Sequence, residues 1–111
     1  MPSTICNYIR RKEVISFMYD DARRVVEPHL LGLDESGDLT LSAWQTDGPT
    51  PDGWRDFWVA KMKNIAPTGK TFKSARPGYN RNDTTIKTII CRLTAVRTRP
   101  TRRRNPRGRR R

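Results

Sequence analysis

The spacing of apolar residues changes period once along this chain. Ile5, Tyr8 and Ile9 fall at i, i+3 and i+4, which predicts a short helix capped by Ser3 or Thr4 and ending near Lys12. At about two to three turns such a helix is marginal alone and must lie against something. From Glu13 the period becomes two. Ile15, Phe17 and Tyr19 share one face of a predicted strand over Glu13 to Tyr19, and Asp20-Asp21-Ala22 makes a turn. A long strand from Arg24 to Leu33 is interrupted by Pro28, which removes a ladder donor and predicts an edge, bend or bulge.

Asp34 to Asp38 reads as a hairpin loop, and Leu39, Leu41 and Ala43 share a face of the returning strand, Leu39 to Gln45. Thr46 to Gly53 holds two glycines and two prolines and is an exposed loop. A fourth strand, Trp54 to Val59, puts Arg55, Phe57 and Val59 on one side and Trp54 and Trp58 on the other. A short fifth strand is expected at Ile65 to Thr68, a turn at Arg76 to Asn80 and a last strand at Thr84 to Leu93. One helix followed by five or six short strands predicts a mainly β protein built as a small barrel.

Composition limits what such a barrel can do. The chain has 111 residues, 34% of them hydrophobic, so one small core is expected and little room for an elaborate active site. No apolar run approaches a membrane span and Met1-Pro2-Ser3-Thr4 opens no secretory signal, which points to a cytoplasmic protein without membrane contact. Cys6 and Cys91 lack metal-type spacing and are expected as two reduced thiols acting as small apolar side chains.

The net charge of +12 divides unevenly. Residues 97–111 hold nine arginines and no acid, whereas residues 1–96 hold 14 Lys+Arg against 11 Asp+Glu, leaving +3. A barrel domain over 1–96 and a disordered arginine-rich tail over 97–111 follow. Arg102, Arg103, Arg104, Arg107, Arg109, Arg110 and Arg111 would contact phosphate backbones without reading sequence.

Arg24 and Arg55 are the sharpest candidates for chemistry. Each lies on a strand among Val26, Leu30, Phe57 and Val59, where an unpaired charge is expensive. A guanidinium fork fits phosphate oxygens. It equally fits a carboxylate, with Glu27 and Asp56 available, and both readings stay open. Trp44, Trp54 and Trp58 offer faces for bases or for packing; packing is favoured for Trp44, and at least one of Trp54 and Trp58 is expected to reach solvent. His29, the single histidine, has no cysteine or acid at metal-ligand spacing and is a candidate hydrogen-bonding residue. Tyr79 reads as a loop anchor. No acid pair, cysteine–histidine pair or phosphate-cradling loop supports enzyme chemistry; in Gly48-Pro49-Thr50-Pro51-Asp52-Gly53 the prolines remove the amide donors.

Taken in order, Val14-Ile15-Ser16-Phe17-Met18-Tyr19, Arg24, Val26-Glu27-Pro28-His29, Leu41-Ser42-Ala43-Trp44-Gln45, Trp54-Arg55-Asp56-Phe57, Val59-Ala60-Lys61-Met62, Phe72 and Arg76-Pro77-Gly78-Tyr79-Asn80 resemble a stand-alone WYL domain. The tripeptide that names the family stands here as Leu39-Thr40-Leu41, and Ala60 replaces the usual aspartate before the basic Lys61. The resemblance implies a short helix and a strongly bent, five- to six-stranded Sm-like (SH3-type) barrel. It also implies a ligand-sensing module of prokaryotic or phage regulators. By motif, Arg24, Arg55 and Lys61 would hold a nucleotide or single-stranded nucleic acid, with Tyr19, His29 and Gln45 as weaker candidates; an aromatic residue such as Trp54 would lie beside the base, and no cofactor or metal is expected. The rival expectation is a protein-interaction module that docks on an effector or self-associates, with the tail as an electrostatic tether.

Overall fold

The computed structural model describes residues 2–50, 52–80 and 86–93. One helix and six antiparallel strands make the fold mainly β, as the change of period predicts. The elements are α1 (Pro2–Arg11), β1 (Glu13–Tyr19), β2 (Ala22–Asp34), β3 (Leu39–Asp47), β4 (Gly53–Trp58), β5 (Lys63–Thr71) and β6 (Ile86–Arg92). A single 3-10 turn, Val59–Lys61, joins β4 to β5. The arginine tail and its expected phosphate contacts lie outside the described residues, as does the predicted start of the last strand at Thr84. Among the described residues no helix is long and apolar enough to cross a membrane.

The helix starts at Pro2, before the caps expected at Ser3 or Thr4, because proline's fixed φ suits a first helical position. Ile5 and Ile9 are fully buried and Cys6 nearly so. At about 1.5–3 kcal/mol per buried aliphatic side chain, that stripe holds a helix too short to persist alone. It packs on β1, β2 and β6.

The strands run as a meander in the order β4-β3-β2-β1-β5. Asp20 and Asp21 form the β1–β2 turn with φ of 50° and 62°, the two left-handed residues that a tight two-residue hairpin requires. Between β2 and β3, Asp34 caps the loop through its Oδ1, which accepts from the amides of Ser36 and Asp38 at 2.9 Å each.

The long β2 is the hinge of the fold. Its first half pairs with β1 and its second half with β6, while β3 follows it on the other side. Pro28 cannot donate to a ladder, and the β2–β3 register slips between Pro28 and Leu30. The extra residue is His29, and Glu27 to Leu31 are all buried. Gly32 permits the close β6 crossing: a Cβ there would lie 2.3 Å from the Thr88 carbonyl oxygen. The sheet curls so far that β1 meets β4, although two strands lie between them in the order. Phe17 and Phe57 touch edge to face at 4.9 Å between centroids. With Ile15, Val26, Leu31, Leu41, Ala43 and Met62 they fill the core.

Two expectations change. β5 is longer than predicted and irregular, with Asn64 and Gly69 at φ of 56° and 91° beside slips in its ladder to β1. Cys6 and Cys91, expected as reduced thiols, are joined in a disulfide with Cα atoms 5.8 Å apart. The packing of α1 over β6 brings them together, a meeting of positions 85 residues apart that no local pattern encodes. In the chain-entropy account, closing so long a loop contributes about 4–5 kcal/mol.

Candidate functional site

Alternation along the strands sets two faces. On β3 and β4, Leu41, Ala43, Gln45, Arg55 and Phe57 share the concave face, with Ala43 opposite Arg55 in the ladder. Arg24, on β2, sits opposite Phe17, two pairs from the Tyr19–Ala22 end of the hairpin. The curl therefore brings Tyr19, Arg24, Gln45 and Arg55, four of the residues singled out from the sequence, to one rim of the core.

Neutral groups hold the Arg24 guanidinium. It donates to Gln45 Oε1 at 3.2 Å and to the Tyr19 carbonyl at 3.3 Å. Its Cζ lies 5.6 Å from the Tyr19 ring centroid and 5.9 Å from that of Phe57. Arg24 Nε is buried without a hydrogen-bond partner, and among the described residues no carboxylate pairs with this side chain. A buried donor left unmade is costly, so the site holds unused capacity for an acceptor.

Thr50 stands at the centre of the rim. Its Oγ1 receives Gln45 Nε2 at 3.1 Å, Arg55 NH2 at 2.8 Å and Arg55 Nε at 3.3 Å. Three N–H donors thus converge on one hydroxyl oxygen, which has two lone pairs. Arg55 NH1 also donates to the Trp54 carbonyl at 2.8 Å. The loop carrying Thr50 rests directly on the rim: a Cβ at Gly48 would come within 2.8 Å of Gln45 Nε2 and 3.2 Å of Arg24 Cδ. The sequence marked this loop only as exposed; its role as a cover was missed, since nothing local in Gly-Pro-Thr-Pro points back to Arg55.

Lys61 joins the site through Tyr19. Its Nζ lies 5.3 Å from the Tyr19 ring, 5.8 Å from the Trp58 ring and 3.0 Å from Asp20 Oδ1. The hydrogen bond with Asp20 comes first among the causes that raise the Lys61 pKa. The Tyr19 hydroxyl accepts from the Trp58 amide at 3.1 Å. Trp58 is the solvent-facing tryptophan, 49% exposed, and with Leu39, Val59, Ala60 and Lys61 it lines a groove of about 330 Å³.

His29 and Trp54 belong elsewhere. His29 is fully buried, and its Nε2 accepts from the Arg76 amide at 3.1 Å, so Nδ1 carries the proton donated to the Glu27 carbonyl at 2.8 Å. Burial is the main cause that lowers its pKa. Phe72 stacks on one side of the ring at 5.2 Å and Trp54 meets it edge-on at 4.9 Å. Trp54 Nε1 donates to the Pro77 carbonyl at 2.9 Å, and Tyr79 stacks on Trp54 and bonds the Leu93 carbonyl at 2.8 Å.

The segment from Phe72 to Tyr79 is thus a strap across the convex face, and Tyr79 is the loop anchor expected. Its ion pair is bidentate, with Arg76 Nε to Glu27 Oε1 at 2.7 Å and NH2 to Oε2 at 2.8 Å, and the guanidinium lies over Trp44. Glu27, a carboxylate offered for the strand arginines, is taken by Arg76. His29, brought inward at the bulge after Pro28, and Trp54 thus make their contacts with each other and with the strap, away from the rim.

Among the described residues no group of three or more His, Cys, Asp or Glu side chains could hold a metal ion. No family model, curated protein or solved structure matches this chain.

Proposed function

We propose that this protein is a non-enzymatic, WYL-like binding module that takes the phosphate of a nucleotide or single-stranded nucleic acid at the rim formed by Tyr19, Arg24, Gln45 and Arg55. Lys61 stands at its edge. The observation that carries this reading is the convergence on Thr50 Oγ1, where a phosphate oxygen would accept the same donors more strongly than a neutral hydroxyl does. Arg24 supports it, since neutral groups leave its charge uncompensated among the described residues. The arginines of 97–111 add affinity for phosphate backbones without specificity. The module works as an accessory regulator in the cytoplasm, where thiol-reducing conditions would act on the Cys6–Cys91 bond from its half-buried Cys91 side.

The test is fluorescence anisotropy of a labelled single-stranded oligonucleotide near physiological salt, with the whole chain and with one ending at Val96. Saturable binding that survives removal of the tail and falls at least tenfold in Arg24→Ala, with unchanged melting, supports the rim. Binding that vanishes with the tail, or a melting loss in Arg24→Ala without an affinity loss, overturns it. The exposed Trp58 groove favours a second reading, docking on a protein effector or a second copy. Pull-down and analytical ultracentrifugation with Trp58→Ala would separate that reading from the first.

A further inference from the structure

The mild charge of the body conceals a strong segregation. From Phe57 to Asn80 the chain carries Lys61, Lys63, Lys70, Lys73 and Arg76 and no carboxylate. The middle of this stretch is β5, an edge strand paired only with β1 and exposed along most of its length. Lys63, Lys70 and Lys73 are exposed and, among the described residues, carry no ion pair. Where β5 ends, the Phe72 amide donates to the Lys12 carbonyl at 2.9 Å, which brings the basic end of α1, Arg10 to Lys12, to the same place. That end opens on a cleft of about 420 Å³ lined in part by Thr71, Lys73, Ser74 and Arg76, and by Glu27, whose charge Arg76 takes up.

Lysines and a proline on an edge strand also prevent pairing with a second sheet, and Pro67 serves that purpose. Edge protection needs only a charge or two. It does not require that carboxylates be missing from the whole stretch, nor that the cations continue from Lys61, which already touches the Tyr19 ring of the rim. We propose that the β5 edge is a second contact surface, for the phosphate backbone of a single-stranded nucleic acid leaving the rim past Lys61 toward Lys63, Lys70 and Lys73. This rests on the phosphate-binding reading of the rim. Lys63 and Lys70 lie on β5 and Lys61 and Lys73 flank its two ends, a spread of cations that matches a single chain of phosphates; a strand of nine residues, about 30 Å at full extension, spans several of them.

The test is the salt dependence of binding of a labelled oligothymidylate to the full chain. For a single strand, each phosphate that is no longer neutralised flattens the plot of log K against log salt by about 0.7, so Lys63→Gln/Lys70→Gln/Lys73→Gln should flatten it by about 2. The matching triple change to arginine should keep the wild-type slope, and Lys70→Gln alone, expected to flatten it by about 0.7, covers the case in which the triple variant does not fold.

An unchanged slope in a folded glutamine variant overturns the proposal, as does equal flattening with poly-glutamate, which would make the partner an acidic protein. The rim is judged separately. Arg24→Ala should weaken binding at every salt concentration, and if it does not while the lysine variant flattens the slope, the rim fails and the edge stands. If the wild-type chain does not bind even at low salt, both fail.

Discussion

Two arginines packed against the same sheet, Arg24 on β2 and Arg76 in the strap, have opposite surroundings. Arg76 meets a buried carboxylate, Glu27, through two short bonds and lies over Trp44. Arg24 meets an amide oxygen, a carbonyl and two ring faces, and one of its nitrogens has nothing to bond. The first arrangement is complete and explains itself as structure. The second is stable only because cation–π contacts and neutral acceptors partly replace water, and it gains most from an anion. Against a sheet, then, the partner of a guanidinium separates a structural arginine from a candidate binding one.

The contrast breaks first at Arg76. Arg76→Ala leaves the Glu27 carboxylate, 5% exposed, without its counterion, and we expect a loss of about 2–3 kcal/mol, read by urea denaturation. Oligonucleotide affinity should hardly change. Arg24→Ala should invert the pattern, with about tenfold weaker binding, or about 1.4 kcal/mol, and a stability change under about 1 kcal/mol. If both variants lose stability and neither loses affinity, the two arginines are alike and the distinction fails.

The convex cluster also carries a pH signature. His29 has a folded pKa below its ordinary 6.5, chiefly because it is buried. Below pH 6.5 the unfolded chain therefore binds a proton that the folded chain resists. Stability is full above 6.5 and falls as pH drops from there toward the folded pKa, by at most about 1.4 kcal/mol per pH unit. Melting temperatures measured across this range should show the slope, and His29→Gln should remove that part of it.

Local physics was legible in the sequence and long-range contact was not. The bounds of β1, the Asp20-Asp21 turn and the consequence of Pro28 came from alternation, turn chemistry and a missing amide. Tyr19, Arg24, Gln45 and Arg55 were separate candidates until the curl of the sheet brought them to one rim. The strap over His29, the Arg76–Glu27 pair and the Cys6–Cys91 bond join positions 47, 49 and 85 residues apart, and no periodicity reports such pairs. Trp54 and Trp58 share a face by alternation, yet only the strap decides that Trp54 is covered and Trp58 is not.

Thr50 gives the smallest expected effect and the finest test of the contrast. Its hydroxyl occupies the donors of Gln45 and Arg55 while the loop rests on Gly48. A ligand oxygen must displace it, and the net worth of such neutral bonds is about 0.5–1.5 kcal/mol. Thr50→Ala removes that competition, so affinity for a single-stranded oligonucleotide should rise about 2- to 10-fold in the anisotropy assay, whereas Thr50→Ser should stay near wild type. The convex face offers no parallel, because there the acceptor on the arginine is a carboxylate that a phosphate would not readily displace. A fall in affinity in Thr50→Ala, restored by serine, would mean that the hydroxyl contacts the ligand instead of holding its place. The donors would then be arranged around Thr50 and ligand together, and the rim would be as complete by design as the Arg76 pair.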